Sequence, residues 1–189
     1  MEFDINQVYP PSEDTFLLIK AALAEVKPKD SVIEIGCGSG AVIESLKCRA
    51  RYVLGVDINP HAVYFTNKKG VNAVRSDLFG SISGLFDLIL FNAPYLPTEK
   101  DEKLNDWLEY ALDGGENGRE VIEKFLPQAV SHLTRYGRIL LLISSLTGLS
   151  EINSLCKSMG LISLVVEQEK MEDGELLYVL RITRDLCSI

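Results

Sequence analysis

The chain reads as an α/β protein, a doubly wound, mostly parallel seven-stranded sheet that ends in a C-terminal antiparallel hairpin. Three observations predict this. Short apolar runs alternate with helix-length amphipathic segments between residues 31 and 159, the pattern of parallel strands connected through crossover helices. In the run Asp87-Leu-Ile-Leu-Phe91 the positions from Leu88 to Phe91 are all apolar, as a strand covered on both faces must be. Two last apolar runs are joined by the polar turn Lys170-Met-Glu-Asp-Gly174, which closes a hairpin without a crossover.

The elements follow in order. Asp14–Val26 places Phe16, Leu17, Ile19, Leu23 and Val26 at mainly helical spacing, opened by Ser12-Glu-Asp and closed before Pro28. Ser31–Ile35 is the first strand and Ala41–Cys48 its following helix. Tyr52–Asp57 is the second strand; Asn59 caps a helix that starts at Pro60 and stops at Gly70. Asn72–Ser76 and Asp87–Asn92 are the third and fourth strands. A polar insertion, Leu96 to Gly118, precedes a helix from about Arg119 to Leu133. Gly137–Ile143 is the fifth strand, Glu151–Met159 a helix ended by Gly160, and Leu161–Glu167 with Leu176–Thr183 the hairpin. Residues 1–189 are expected to form a single domain with one substantial core.

Composition narrows the function classes. A hydrophobic content of 47% with 24% charged residues is that of a folded globular chain. A net charge of −8 disfavours stable binding of nucleic acid, which needs Lys and Arg to displace counterions. Cys37, Cys48, Cys156 and Cys187 are scattered without CxxC spacing, and His61 and His132 are the only histidines. No metal-ligand cluster follows from that pattern. The N-terminus carries no basic-then-apolar leader, and no apolar run approaches the roughly 18 residues of a membrane span. A cytoplasmic protein is expected.

Three sites carry the chemistry. Glu34-Ile-Gly-Cys-Gly-Ser-Gly40 leaves the first strand, at the carboxyl end where open parallel sheets bind ligands. Gly36, Gly38 and Gly40 allow a sharp turn and close approach of a cofactor, but their GxGxG spacing departs from the GxGxxG dinucleotide fingerprint. Glu34 would oppose a pyrophosphate and suit a cationic group such as the amino end of S-adenosylmethionine. Asp57 ends the second strand, where an acid can take two ribose hydroxyls, or box the start of the helix at Pro60. Asp77 and Leu78 follow the third strand; the pair could hold an adenine amino group and pack on its ring, and Asp77 would serve equally as an exposed turn residue.

Asn92-Ala-Pro-Tyr95 is the third site, where the fourth strand runs into a loop. Methylation of nitrogen by a sulfonium is an in-line displacement that depends on alignment. An amide nitrogen is a poor nucleophile, and two acceptors holding its N–H groups would orient it and stabilise the developing positive charge. Asn92 offers its side-chain oxygen and Ala93 its carbonyl, which Pro94 helps to aim by biasing Ala93 to an extended conformation. Tyr95 would cover the flat face of the substrate. No strong general base is required, and the sequence shows none beside Asn92.

With these residues in place, the chain resembles the HemK-like family of class I S-adenosylmethionine-dependent methyltransferases, and within it the short archaeal and eukaryotic branch. The resemblance rests on Val8-Tyr-Pro-Pro-Ser-Glu-Asp-Thr-Phe16, Glu34–Gly40, Asp57-Ile-Asn-Pro60, Asn92–Tyr95 and Gly114-Gly-Glu-Asn-Gly-Arg-Glu120. It implies methylation of the glutamine amide of a Gly-Gly-Gln motif in a class 1 translation release factor. It also implies that Thr15, Glu34, Gly36, Gly38, Asp57, Ile58, Asp77, Leu78 and Asn92 contact the cofactor. Asn92 and Tyr95, with the backbone of Ala93 and Pro94, would hold the target glutamine, and Tyr9 and Pro10 would lie near the pocket mouth. The family motif is Asn-Pro-Pro-Tyr; Ala93 keeps the carbonyl but removes one fixed φ angle. Members of this branch commonly pair edge-to-edge with a small zinc-binding activator, which would call for an exposed apolar patch near Asn72–Ser76.

Other readings of the same residues remain open. An Asn-x-Pro-Tyr site also suits an adenine amino group of DNA or RNA, with Tyr95 stacked on a flipped base. A protein lysine is a further candidate, although it needs deprotonation first. GxGxG and Glu34 speak against a dinucleotide-dependent dehydrogenase, and the intact cofactor and Asn92 motifs against a non-enzymatic binding module. In the insertion, Glu99, Lys100, Asp101, Glu102, Lys103 and Asp106 precede Trp107, Leu108 and Tyr110. Those aromatic residues would cover a substrate loop or pack into the domain itself.

Overall fold

The strand pattern closes into one sheet of seven strands in the order β3-β2-β1-β4-β5-β7-β6. The computed structural model describes residues 2–96 and 106–186, so Glu99 to Lys103 and Cys187 lie outside the described residues, as does the side chain of Tyr110. The strands are β1 (Ser31–Ile35), β2 (Tyr52–Asp57), β3 (Ala73–Arg75), β4 (Phe86–Asn92), β5 (Leu133–Ser144), β6 (Leu161–Lys170) and β7 (Leu176–Arg184). The helices are α1 (Glu13–Glu25), α2 (Ala41–Leu46), α3 (Pro60–Lys68), α4 (Trp107–Leu112), α5 (Glu120–Ser131) and α6 (Leu149–Ser158). β7 runs antiparallel to β5 and β6, and the β1, β2, β3, β4 and β5 pairings are parallel. No helix among the described residues is long and apolar enough to cross a membrane.

Two cores sandwich the sheet, and the central strands serve both. Ile89 and Phe91 of β4 pack with Ile122, Phe125 and Leu126 of α5 and Ile152 of α6. Leu88 and Leu90 face the other way, onto Leu17, Leu18 and Ala21 of α1 and Ile43 and Leu46 of α2. Alternation of side chains along a strand produces this division.

The sequence misjudged the insertion and the ends of several elements. Trp107–Leu112 forms a short helix inside what read as polar loop. β5 begins at Leu133, where the Phe86 N–H donates to the His132 carbonyl and Leu133 pairs with Phe86 across a register irregularity. That early segment, Leu133-Thr-Arg-Tyr, has no apolar alternation to betray a strand. β6 runs on to Lys170 through polar residues, because its ladder with β7 continues as far as Leu176.

One buried cation ties the sheet's amino ends together. Arg138 of β5 is 6% exposed. Its Nε donates to Glu25 Oε2 at 3.2 Å, its Nη2 to Asp30 Oδ2 at 2.7 Å and to the Glu25 carbonyl, and its Nη1 to the Asp87 carbonyl at 3.1 Å. Removing one partner of a buried charge pair leaves the other uncompensated. Arg138→Met should therefore cost about 3–5 kcal/mol of unfolding free energy, measured by urea denaturation.

Candidate active site

The carboxyl ends of β1, β2, β3 and β4 open into one cavity of about 450 Å³. Thr15, Glu34, Gly36, Gly38, Asp57, Ile58, Asp77, Leu78, Asn92, Ala93, Pro94 and Tyr95, singled out in the sequence for cofactor or substrate, all line it, whereas Gly40 does not. Tyr9 lines it as well, whereas Pro10 is exposed and outside the lining.

The glycine loop is shaped from both sides. Gly36 has φ +63°, and a Cβ there would meet the Phe91 ring at 3.4 Å, so the chain turns away from β1 where a larger residue would be strained. The Cys37 N–H donates to the Val56 carbonyl at 2.9 Å, tying the loop to β2. Asp57 clamps the next two turns: its Oδ2 accepts from the Gly38 N–H at 2.8 Å and its Oδ1 from the Asn59 N–H at 2.9 Å. Burial pushes the Asp57 carboxyl up, and those N–H groups oppose the shift. Two of its acceptor positions remain for hydroxyl donors. Boxing the α3 turn therefore does not exhaust its oxygens.

Glu34 lies under the loop, 2% exposed, with Oε2 accepting the Ile43 N–H at 2.9 Å. Burial drives its carboxyl well above the usual range, and the nearby Asp57 adds to the shift. The wall below the glycines is acidic, which suits a cationic or hydroxyl-bearing ligand and opposes a pyrophosphate. Beyond it, Asp77 is exposed and Leu78 adopts φ +46°, the one left-handed non-glycine residue among those described. A side chain held there costs on the order of 1–3 kcal/mol and tends to mark a ligand clamp.

Asn92 ends β4. Its Nδ2 donates to Asp14 Oδ2 at 2.9 Å. Its Oδ1 is buried without a hydrogen-bond partner, the one such side-chain atom among the described residues. Asp14 is 5% exposed and also accepts from the Tyr9 hydroxyl at 3.3 Å, the Thr15 N–H at 2.5 Å and the Thr15 hydroxyl at 3.1 Å. Burial, then the Asp14 charge, pushes the Tyr9 phenol up to about 12, and burial raises Tyr95 further still. The sequence shows no general base beside Asn92; the fold nevertheless brings the Asp14 carboxylate there. Asp14 is 78 residues away in sequence and arrives on the first turn of α1. In sequence it reads as a helix-opening acid favoured by the dipole, and its place beside Thr15 in the N-terminal motif was the available signal.

Two further pieces complete the pocket. Trp107 lines the cavity, its N–H donates to Gln7 Oε1 at 3.3 Å, and the Arg75 guanidinium sits 5.7 Å from its ring centroid. The insertion's tryptophan therefore faces the cavity. The Gly114–Glu120 motif buttresses the Asn92 loop: the Gly114 N–H donates to the Leu96 carbonyl at 3.0 Å, and the Glu120 N–H donates to the Gly114 carbonyl at 3.1 Å. A Cβ on Gly114 would come within 2.9 Å of the Pro94 carbonyl oxygen and 2.8 Å of the Gly118 Cα.

A glycine loop after β1 and a buried acid at the end of β2, on a sheet with an antiparallel seventh strand, are the fold of a class I methyltransferase. Comparison with known proteins narrows the class. The family model for ribosomal protein L11 methyltransferase matches residues 13–86. A provisionally named protein N5-glutamine methyltransferase of Methanocaldococcus jannaschii is 44% identical over 161 residues, covering 82% of this chain and 81% of its own. Human methyltransferase HEMK2 is 35% identical, covering 82% of this chain and 80% of its own. The Mtq2 chain of the E. cuniculi Mtq2–Trm112 complex, which is responsible for methylation of the eRF1 translation termination factor, superposes with TM-score 0.78. It is 29% identical, with 94% of this chain and 99% of that chain covered. The chain belongs to the HEMK2-like family of protein N5-glutamine methyltransferases.

Two measurements test this geometry. For Glu34, an ordinary value of 4.5 applies in the unfolded chain and a higher one in the fold. Its contribution to stability is thus fully present below pH 4.5 and is lost as pH rises through the folded value. Glu34→Gln should be more stable than the parent at pH 8, and the difference should vanish near pH 4, by thermal melts across that range. Gly114→Ala should displace the Pro94 carbonyl and slow methyl transfer about 10- to 100-fold while leaving cofactor affinity nearly unchanged, by steady-state kinetics and calorimetry.

Proposed function

We propose that the protein transfers a methyl group from S-adenosylmethionine to the side-chain amide nitrogen of a glutamine, that of the Gly-Gly-Gln motif in a class 1 translation release factor. The observation that carries this reading is the unpartnered, buried Oδ1 of Asn92, on a loop whose Ala93, with its backbone carbonyl as a second acceptor, lines the same cavity. Two acceptors side by side match the two N–H groups of a primary amide, and a buried acceptor left unpaired is costly until a ligand supplies its donor.

The cavity's donor set fits the cofactor. Glu34 and the turn at Gly36 and Gly38 would hold its amino-acid end, Asp57 and Ile58 its ribose, and Asp77 and Leu78 its adenine. Thr15 and Asn92 would lie toward the reacting end. When bound, S-adenosylmethionine supplies an electrophilic methyl group on a sulfonium. Asn92 and Ala93 hold the amide nitrogen in line and stabilise the positive charge that grows on it. Tyr95 flanks the amide plane, and the proton leaves to solvent as the amide regains neutrality.

Asp14 favours a second reading, a lysine substrate, because a carboxylate near Asn92 could accept a proton from an ammonium. Its oxygens already accept from Tyr9, Thr15 and Asn92, which leaves glutamine the better fit. Residues 1–189 would act as a single domain in the cytoplasm, paired with a small zinc-binding activator along the β3 edge. Val74 and Tyr52, 40% and 42% exposed near that edge, support such a pairing.

The test is methyl transfer from labelled S-adenosylmethionine to a release factor and to its Gly-Gly-Ala variant, each with and without the activator. Label on the parent alone is expected. Label on both would redirect the assignment to lysine, and transfer to oligonucleotides alone would overturn it in favour of adenine. Asn92→Ala should lower kcat about 100- to 1000-fold with cofactor affinity largely retained.

A further inference from the structure

The geometry points to Asp14 as the positioning residue that fixes the orientation of the Asn92 amide, so that its oxygen and not its NH2 faces the substrate. This rests on the glutamine reading of the site and deepens it. An asparagine amide can turn over with little change of shape, yet its two ends have opposite roles. Turned over, Asn92 would present donors to the N–H groups it has to accept. Nothing in the β4 backbone decides between the two states.

Asp14 decides it. An ionised carboxylate accepts hydrogen bonds and donates none, so only the NH2 end of Asn92 can face it. The contact is Nδ2 to Oδ2 at 2.9 Å, and the opposite end, Oδ1, is a buried oxygen left unpartnered on a residue that lines the cavity. The carboxylate is itself fixed. Its Oδ1 accepts the Thr15 N–H at 2.5 Å and the Thr15 hydroxyl at 3.1 Å, and its Oδ2 accepts the Tyr9 hydroxyl at 3.3 Å. Four donors fill the acceptor positions of one carboxylate, which leaves it little capacity as a base. The N-terminal motif thereby acts on the reaction through Asn92.

Asp14→Asn is the discriminating variant, being equal in size. Its remaining oxygen must stay with the Thr15 N–H, so its new NH2 turns toward Asn92 and favours the reversed amide. With the release-factor substrate, kcat should fall about 100-fold, while S-adenosylmethionine affinity stays within about twofold of the parent. In an Asn92→Ala background the same change should have no further effect, as expected for groups acting as one unit. Parent-like kcat, a matching loss of cofactor affinity, or an additive double variant would each overturn the proposal. So would loss of an acid limb from the pH profile of kcat, the mark of a base. If Asp14→Asn does not fold, Asp14→Glu and Asp14→Gln replace it: the acceptor-only Glu should retain more kcat than Gln, and equal rates would refute the role. A substrate-free readout separates this proposal from the glutamine reading. In 15N spectra, the side-chain amide protons of Asn92, identified by their loss in Asn92→Asp, should exchange slowly in the parent and rapidly in Asp14→Asn. Unchanged exchange would overturn the positioning role, whichever substrate the enzyme methylates.

Discussion

A strand covered on both faces cannot slip, and the site depends on β4 being such a strand. Leu88 and Leu90 fill the α1–α2 core, while Ile89 and Phe91 fill the α5–α6 core. A register shift of one residue would exchange the two sets and spoil both cores. Parallel neighbours on either side, β1 and β5, hold the backbone as well. Asn92 therefore leaves the sheet at a fixed height and angle, next to the ends of β1, β2 and β3, from which the other cavity residues come.

Around that fixed point the protein manages an unusual amount of buried negative charge. Glu34, Asp57 and Asp14 line one cavity, and each is held by backbone N–H groups: Ile43 for Glu34, Gly38 and Asn59 for Asp57, Thr15 for Asp14. Backbone donors at loop and helix starts offset part of the desolvation of these carboxyl groups. Glu34 and Asp57 keep acceptor positions for a ligand's hydroxyl and amino groups, whereas those of Asp14 are filled by Tyr9, Thr15 and Asn92. One acceptor, Asn92 Oδ1, is left without any protein donor, and that imbalance is the chemical signature of the site.

The cover of the cavity is assembled from distant segments. Asn59 Nδ2 donates to the Gln7 carbonyl at 2.7 Å, and Gln7 in turn receives the Trp107 N–H. The Gly114 motif braces the loop that follows Asn92 from below, with room only for hydrogen at the Gly114 α-carbon. These links join the N-terminal segment, the β2 turn and the insertion into one rim, so the specificity-bearing parts of the sequence share a mechanical frame.

Much of this was legible in the residues themselves. The doubly wound sheet follows from apolar runs at strand length, the glycine loop from its spacing, and Asn92 from its position after a run with no polar residue between Leu88 and Phe91. Each of those signals is local, carried by periodicity or by backbone demands of a few adjacent residues. The early start of β5 and the helix at Trp107 were not legible, because pairing with Phe86 and contact with Gln7 stabilise segments whose own pattern is weak. Asp14 was the largest omission. Its role depends on α1 folding back across the sheet until a carboxylate meets an amide 78 positions along the chain. Residue order alone tells which groups the protein has and which strands carry them. The orientation of the Asn92 amide is settled only on packing, because a hydrogen bond between distant side chains exists only once the chain has closed the space between them.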